Sequence, residues 1–336
     1  MSSAFAVGPV TVDLTAKKPP KLISEFNLFK DNAKQIPNDG VVPYDLNSPL
    51  FSDYASKYRF VWMPEGTSAK YDEQEAFSFP VGTIIVKTFS FPHDMRDPSK
   101  GEHIVETRLL IHKPEGWIGL PYVWKPDMSD AELKIAGKQV DVKWIHTDGS
   151  ERSNRYIVPN TNQCMSCHEN AKTLQPIGPK ARHLNKSYQY AEGEENQLTH
   201  WAKIGYLTGV PAPESAPKAA VWDHPETGTL DARARAWLDI NCAHCHNPKG
   251  AASPSGLDLT ILQNDPFKLG VMKPPVAAGR AAVDRLYSIV PGKPDASILV
   301  YRLETTDPGI MMPQLPRKLV DEEGVALIRE WIAGMK

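Results

Sequence analysis

Apolar and polar residues alternate at period two through much of the first half of the chain. Phe77/Phe79, Ile84/Val86 and Phe89/Phe91 are such pairs within 76–92, and Pro80-Val81-Gly82 breaks that run as a turn. Residues 104–112, Ile-Val-Glu-Thr-Arg-Leu-Leu-Ile-His, form a second strand-compatible run. Leu133 and Ile135, then Val140, Val142 and Trp144, alternate on either side of Gly137, and Asp148-Gly149 precedes Tyr156-Ile157-Val158. Period two puts one set of side chains on one face of a pleated strand. Asp-Gly suits the positive-φ turn of a tight hairpin. The pattern predicts short antiparallel strands in a β-sandwich-like module over 21–160, behind a small, polar, proline-containing tail at 1–20.

The period changes after Pro159. Residues 194–204 are compatible with a helix, and 210–221, rich in proline and alanine, read as a linker. Asp231 to Asn241 combines alanine-rich helix propensity with an acidic first turn. At the C-terminus Asp321 is placed to cap a helix, Glu322 and Glu323 suit its first turn, and Val325, Ile328, Trp331 and Ile332 share one face. The expected class is α+β, with strands first and mainly helical regions after.

Composition narrows the function. A chain of 336 residues has room for two domains, and 41% hydrophobic with 23% charged residues is a globular mixture. No run of ~18 apolar residues is present, so no transmembrane segment is expected. A net charge of -2 leaves no electrostatic footprint for nucleic acid. Thirty prolines are well above the usual ~5% and imply many loops. No Walker loop, dinucleotide-binding glycine pattern or H-E-x-x-H is present, and no catalytic residue is assigned.

The four cysteines sharpen this most. All lie in two copies of C-x-x-C-H: Cys164-Met-Ser-Cys167-His168 and Cys242-Ala-His-Cys245-His246. That is the attachment pattern of c-type haem. Two thiols three positions apart can each form a thioether with one porphyrin vinyl group, and the adjacent histidine is carried under the ring to bind iron. His168 and His246 are therefore the expected proximal ligands of two covalently attached haems c. A zinc ribbon would pair its C-x-x-C units over ~15–20 residues, whereas these motifs begin 78 residues apart. His244, inside the second motif, is expected to point to solvent. Covalent haem implies export, hence a periplasmic protein whose signal has been removed. Ala4-Phe5-Ala6 has the small-x-small look of a cleavage site.

A sixth ligand decides between electron transfer and catalysis. For the second haem the loop Gly309-Ile-Met-Met-Pro-Gln-Leu-Pro-Arg317 offers Met312, directly before Pro313, with Met311 as runner-up. For the first haem the candidates are His183 and His200 downstream, and Met63, Met95, Met128 and His146 in the β module. None stands out, and an open position would make the chain a dihaem peroxidase- or oxidase-like enzyme. A proline carbonyl of Pro176-Ile-Gly-Pro179 is a candidate acceptor for the His168 Nδ1–H. Arg280, Arg285 and Arg317 are candidates to pair with haem propionates. The aromatic run Gly116-Trp-Ile-Gly-Leu-Pro-Tyr-Val-Trp124 reads as core or an inter-domain contact.

Several of these residues also carry a family resemblance. Cys242-Ala-His-Cys-His246, Gly256-Leu-Asp-Leu259, Ile289-Val-Pro-Gly292 with Ser297, Met311-Met-Pro313 and Glu330-Trp-Ile332, in that order, resemble a class I-like bacterial cytochrome c domain over 231–336. Phe79-Pro-Val-Gly-Thr83, Glu106-Thr-Arg-Leu-Leu110, Val158-Pro-Asn-Thr-Asn-Gln163 and Ile177-Gly-Pro-Lys-Ala-Arg182 extend the likeness over 22–336. The whole resembles a poorly characterised family of dihaem c-type cytochromes of Gram-negative bacteria. The resemblance implies His246/Met312 axial ligation, a helix before Cys242 packed on the final helix, and a neighbouring parallel β-helix protein as a redox partner. The expected layout is thus a tail, a β-sandwich-like module, mainly α-helical c-type haem regions with a first haem segment and linker at 161–230, and a cytochrome c domain at 231–336.

Overall fold

The computed structural model describes residues 7–276, 279–314 and 317–336. Ala4-Phe5-Ala6, and Leu315 and Pro316 of the Met312 loop, lie outside the described residues. The chain divides into two compact units that interleave along the sequence. The first comprises residues up to 46, 55–162 and 179–217; the second comprises 47–54, 163–178 and 218–336.

The first unit is built on one six-stranded antiparallel sheet. Its strands are β1 (Val42–Tyr44), β2 (Ser56–Trp62), β3 (Ile84–Pro92), β4 (Glu102–Lys113), β5 (Gly116–Trp124) and β6 (Ala131–Leu133), in that spatial order. On one face Ile84 and Val86 join Phe60, Leu109 and Ile111 in a core closed by Ile23, Phe26 and Phe29. On the other face sits the hairpin β7 (Lys138–Ile145) and β8 (Glu151–Val158). The Phe91 ring lies 5.3 Å from that of Trp144 and 5.6 Å from that of Tyr156. β3 is therefore covered on both faces, which is why it reads as a nearly continuous apolar run. Asp148 and Gly149 form the hairpin turn, with Gly149 at a φ of +85°, as Asp-Gly predicts.

Two parts of the expected fold class are corrected. Among the described residues the second layer over the six-stranded sheet is a two-stranded hairpin, smaller than the second sheet of a sandwich. The expected mainly α-helical haem regions are also absent. Strand makes up 28% of the chain and helix 22%, and no helical cytochrome-like domain is evident among the described residues. Residues 181–203 hold two short helices and a two-stranded ribbon. Residues 218–336 carry α-helices of 12, 4, 7 and 12 residues separated by loops and 3-10 turns. Proline is the physical reason. Pro248, Pro254, Pro266, Pro274, Pro275, Pro291, Pro294, Pro308 and Pro313 punctuate this stretch. Each lacks an N–H and disfavours the α conformation before it.

The second unit begins its first motif in α1 (Gln163–His168), followed by the ribbon β9 (Glu169–Asn170) and β10 (Thr173–Leu174). Its longer helices are α2 (Leu230–Asn241), α3 (Ile298–Glu304) and α4 (Glu322–Ala333). α2 and α4 share a core of Ala234, Trp237, Leu238, Val325, Ile328 and Trp331. Two tryptophan–aspartate bonds lock them antiparallel: Trp237 Nε1 donates to Asp321 Oδ2 at 3.1 Å, and Trp331 Nε1 donates to Asp231 Oδ1 at 2.8 Å. Among the described residues no helix is long and apolar enough to cross a membrane.

Candidate functional site

Helix geometry presents the second motif. Thr229 caps α2 by accepting from the Ala232 N–H, and Cys242 is the residue at its far end, its N–H bonded to the Leu238 carbonyl at 2.9 Å. Anchoring α2 against α4 therefore fixes where the motif starts. The backbone then coils tightly, with the Cys245 and His246 N–H groups both donating to the Cys242 carbonyl. In the first motif, Cys164 and Cys167 lie three apart within α1 and so share a face.

Both motif histidines have a fixed tautomer. His168 Nδ1 lies 2.8 Å from the Gln175 carbonyl, which can only accept, so Nδ1 carries the proton. His246 Nδ1 lies 3.1 Å from Ser255 Oγ. That hydroxyl already donates to the Ala252 carbonyl at 2.7 Å, so here too the imidazole donates. In each ring the proton sits on Nδ1, held by an outer partner, so Nε2 is the nitrogen whose lone pair can ligate a metal. Burial, with Arg302 and His244 adding to it, brings His246 down to about 4, so this imidazole is neutral at pH 7.

The two motifs meet inside the second unit. Cys245 Sγ donates to the Ser166 carbonyl at 3.3 Å. The Ala171 N–H donates to the Lys249 carbonyl at 2.9 Å, and Asn170 and Gly250 form an antiparallel bridge. Gly250 has no room for a side chain, since a Cβ would stand 2.4 Å from the Cys245 carbonyl oxygen. Cys167 Sγ, a His244 ring nitrogen and Cys245 Sγ lie within 4.8 Å of one another. A hydrogen bond from Cys245, supported by His244, draws the Cys167 thiol down to about 4, while the same bond holds the proton on Cys245. Burial pushes the Cys242 thiol up to about 12. His244 does not point to solvent as expected: its Nδ1 is buried with no hydrogen-bond partner.

A cavity of about 510 Å³ opens at this junction, a size in the range of organic-cofactor sites. Cys242, Cys245 and His246 line it together with Leu257, Leu259 and Leu299, and Cys167 reaches its wall. Met312 lines it too, whereas Met311 is packed into the core at 6% exposure. The Met312 N–H donates to the Arg302 carbonyl at 2.9 Å, which ties its loop to α3. Paired thiols, a neutral imidazole, a thioether and apolar walls around one cavity are a donor set and a container that fit a c-type haem.

The remaining predicted residues are placed elsewhere. Met63, Met95, Met128, His146, His183 and His200 all belong to the first unit. Met63 is buried, and His146 accepts from Trp144 Nε1 at 3.4 Å. His200 stacks on Tyr190 and its Nδ1 lies 2.9 Å from Glu195. The acceptor for His168 is the Gln175 carbonyl, one residue before the proline segment expected to supply it. The three arginines expected at propionates are engaged by the protein. Arg280 pairs with Asp307, Arg285 donates to the Asp295 carbonyl, and Arg317 donates to the Leu303 and Thr305 carbonyls. Gly116–Trp124 is strand β5. Ser255, Arg302 and the buried position of His244 had no sequence signal, because each acts through a contact that no spacing rule encodes. Comparison with protein-family models, with curated proteins and with solved structures finds no match.

Proposed function

We propose that the chain is a periplasmic dihaem c-type cytochrome acting in electron transfer. One observation carries the reading: two C-x-x-C-H motifs sit side by side at one cavity-bearing junction, each with its histidine held in the tautomer that offers Nε2 to a metal. Cys164 and Cys167, and Cys242 and Cys245, would hold one haem each. Each thiol S–H adds across one vinyl C=C, so no atom leaves. His168 and His246 would hold the irons, and Met312 would be a further protein ligand at the His246 site. The bound haems supply one-electron redox chemistry, and the protein supplies ligation, orientation and exclusion of water. Gln175 and Ser255 hold the imidazoles in place through their Nδ1 protons. A redox partner protein is implied, and the resemblance suggests a parallel β-helix protein.

A second reading has its own observation. Cys167, His244 and Cys245 are a ready set of soft ligands, which suits a zinc ion held without haem. The test is the chain produced by export in a host that attaches haem c, examined by intact mass and pyridine haemochrome. Two haems per chain are expected. One haem or none overturns the dihaem reading, and a haem-free chain carrying one zinc establishes the second. Ferric EPR then separates carrier from enzyme. Two low-spin signals support the carrier, and a high-spin signal with peroxide binding makes the chain a peroxidase- or oxidase-like enzyme.

A further inference from the structure

Arg302 lies on α3 with its side chain in the wall of the cavity that also holds His246 and Met312. Its Nε–H donates to the Ile310 carbonyl at 2.8 Å. Its own carbonyl accepts the Met312 N–H at 2.9 Å. Arg302 thus grips the methionine loop twice, once through its side chain and once through its backbone.

Its terminal nitrogens are spent on nothing. Among the described residues Arg302 forms no ion pair and donates no other hydrogen bond. The other arginines of this unit each have a protein partner at a terminal nitrogen or over a ring. Arg233 and Arg235 donate to carbonyls, Arg280 and Arg329 pair with carboxylates, Arg285 lies over the Tyr301 ring, and Arg317 is buried against two carbonyls. A half-buried guanidinium with no counter-charge, on the wall of a largely apolar cavity, is placed to receive an anionic group of the cavity's occupant. With Nε held by Ile310, the two terminal nitrogens leave one planar N–H fork that matches a carboxylate.

We propose that Arg302 is a positioning residue: it receives a carboxylate of the group bound in this cavity and, through Ile310, aims Met312 at that group. The proposal rests on the haem reading, in which the carboxylate is a propionate. It moves the propionate contact from Arg280, Arg285 and Arg317 to Arg302. It also makes anion binding and methionine placement consequences of one side chain.

The test compares R302Q and R302K with the wild type, each exported and haem-loaded. Intact mass is expected to show two haems in all three. If the wild type carries no haem, the haem reading fails and Arg302 is not at issue. In R302Q the methionine–iron charge-transfer band in the red should be lost. The midpoint potential of one haem should fall by at least a tenfold change in the reduction equilibrium, about 59 mV for one electron. R302K keeps the charge but not the fork, and Lys cannot hold the Ile310 carbonyl in the same geometry. Its band should weaken while its potential falls less than that of R302Q. If R302Q is not produced, R302K decides alone. A band and potential equal to wild type in the variants that load haem would overturn the proposal.

Discussion

Gly324 lies in the first turn of α4, where an alanine would ordinarily favour the helix by about 1 kcal/mol. The structure reverses that expectation. A Cβ at 324 would stand 2.3 Å from Trp237 Nε1, 2.4 Å from Asp321 Oδ2 and 2.6 Å from Trp237 Cε2. Comfortable contact for carbon is about 3.5–4.0 Å, so both neighbours must move. Asp321 is committed twice, since it caps α4 through the Gly324 N–H at 3.0 Å and accepts from Trp237 at 3.1 Å. Overpacking costs about 1–3 kcal/mol, and a hydrogen bond to a charged acceptor contributes about 1.5–3 kcal/mol. Set against the helix gain, Gly324→Ala should destabilise the second unit by roughly 1.5–5 kcal/mol. In a unit of this size that is a fall of roughly 3–20 °C in Tm. Thermal and urea unfolding of the purified protein measure it. Trp237→Phe removes the crowded indole nitrogen, so in the double variant the cost of Gly324→Ala should be smaller than in the wild type. A Gly324→Ala protein as stable as wild type, or additive effects in the cycle, would refute the packing argument. Because Cys242 ends α2, the same variant should also load less haem at the second motif.

Three further outcomes are expected. Met312→Ala should change the optical band and potential of one haem only, whereas Met311→Ala, truncating a buried core side chain, should cost about 2–5 kcal/mol in unfolding experiments and leave the band in place. Gly250→Ala forces a Cβ against the Cys245 carbonyl and should part the two motifs, seen as weaker magnetic coupling between the haems in EPR with the haem count retained. Lys87→Met should raise Tm at pH 7. Lys87 sits between Arg59 and Arg108 in register on neighbouring strands, and burial, aided by those cations, holds its ammonium well below the usual lysine range. The unfolded chain then binds the extra proton between that lowered value and about 10.4, so stability rises with pH across the window. The advantage of the methionine should accordingly shrink as pH rises through that window and level off above about 10.4.

How much was legible in advance depended on whether a feature was local. β7 was clear because its burial alternates along the strand, with Val142 and Trp144 inward and Asp141 and Lys143 outward. α2 and α4 were clear because Asp231 and Asp321 mark their starts and their apolar residues recur at helical spacing. The thiols and motif histidines stood out because they recur in two copies of one five-residue pattern. The extent of helix was overestimated, since alanine-rich propensity was weighed without the prolines that divide 242–321. The membership of 47–54 and 163–178 in the second unit could not be read at all. Asp53 reaches the Lys318 and Leu319 N–H groups at 2.8 and 2.9 Å, and Asn241 accepts from the Phe51 N–H at 2.8 Å. These contacts span up to 266 positions and leave no period in the chain.

The meeting of Cys167 and Cys245 has a consequence for direction. Without haem the Cys167 thiol is drawn down and the proton is held on Cys245, so Cys167 is the readier nucleophile and Cys245 the slower one. Under the proposed reading both sulfurs would become thioethers, one to each ring. The pair is chemically unequal, because Met312 lines the cavity of His246 and thioether ligation raises a haem's potential. A low-potential ring on His168 beside a high-potential ring on His246 would send electrons from the first motif to the second. Lowering the second potential by Met312→Ala should therefore slow electron passage from the first haem to the second, by less than the factor by which it shifts the equilibrium. If stopped-flow reduction instead shows both haems filling at their original relative rates, the methionine does not set the direction of flow.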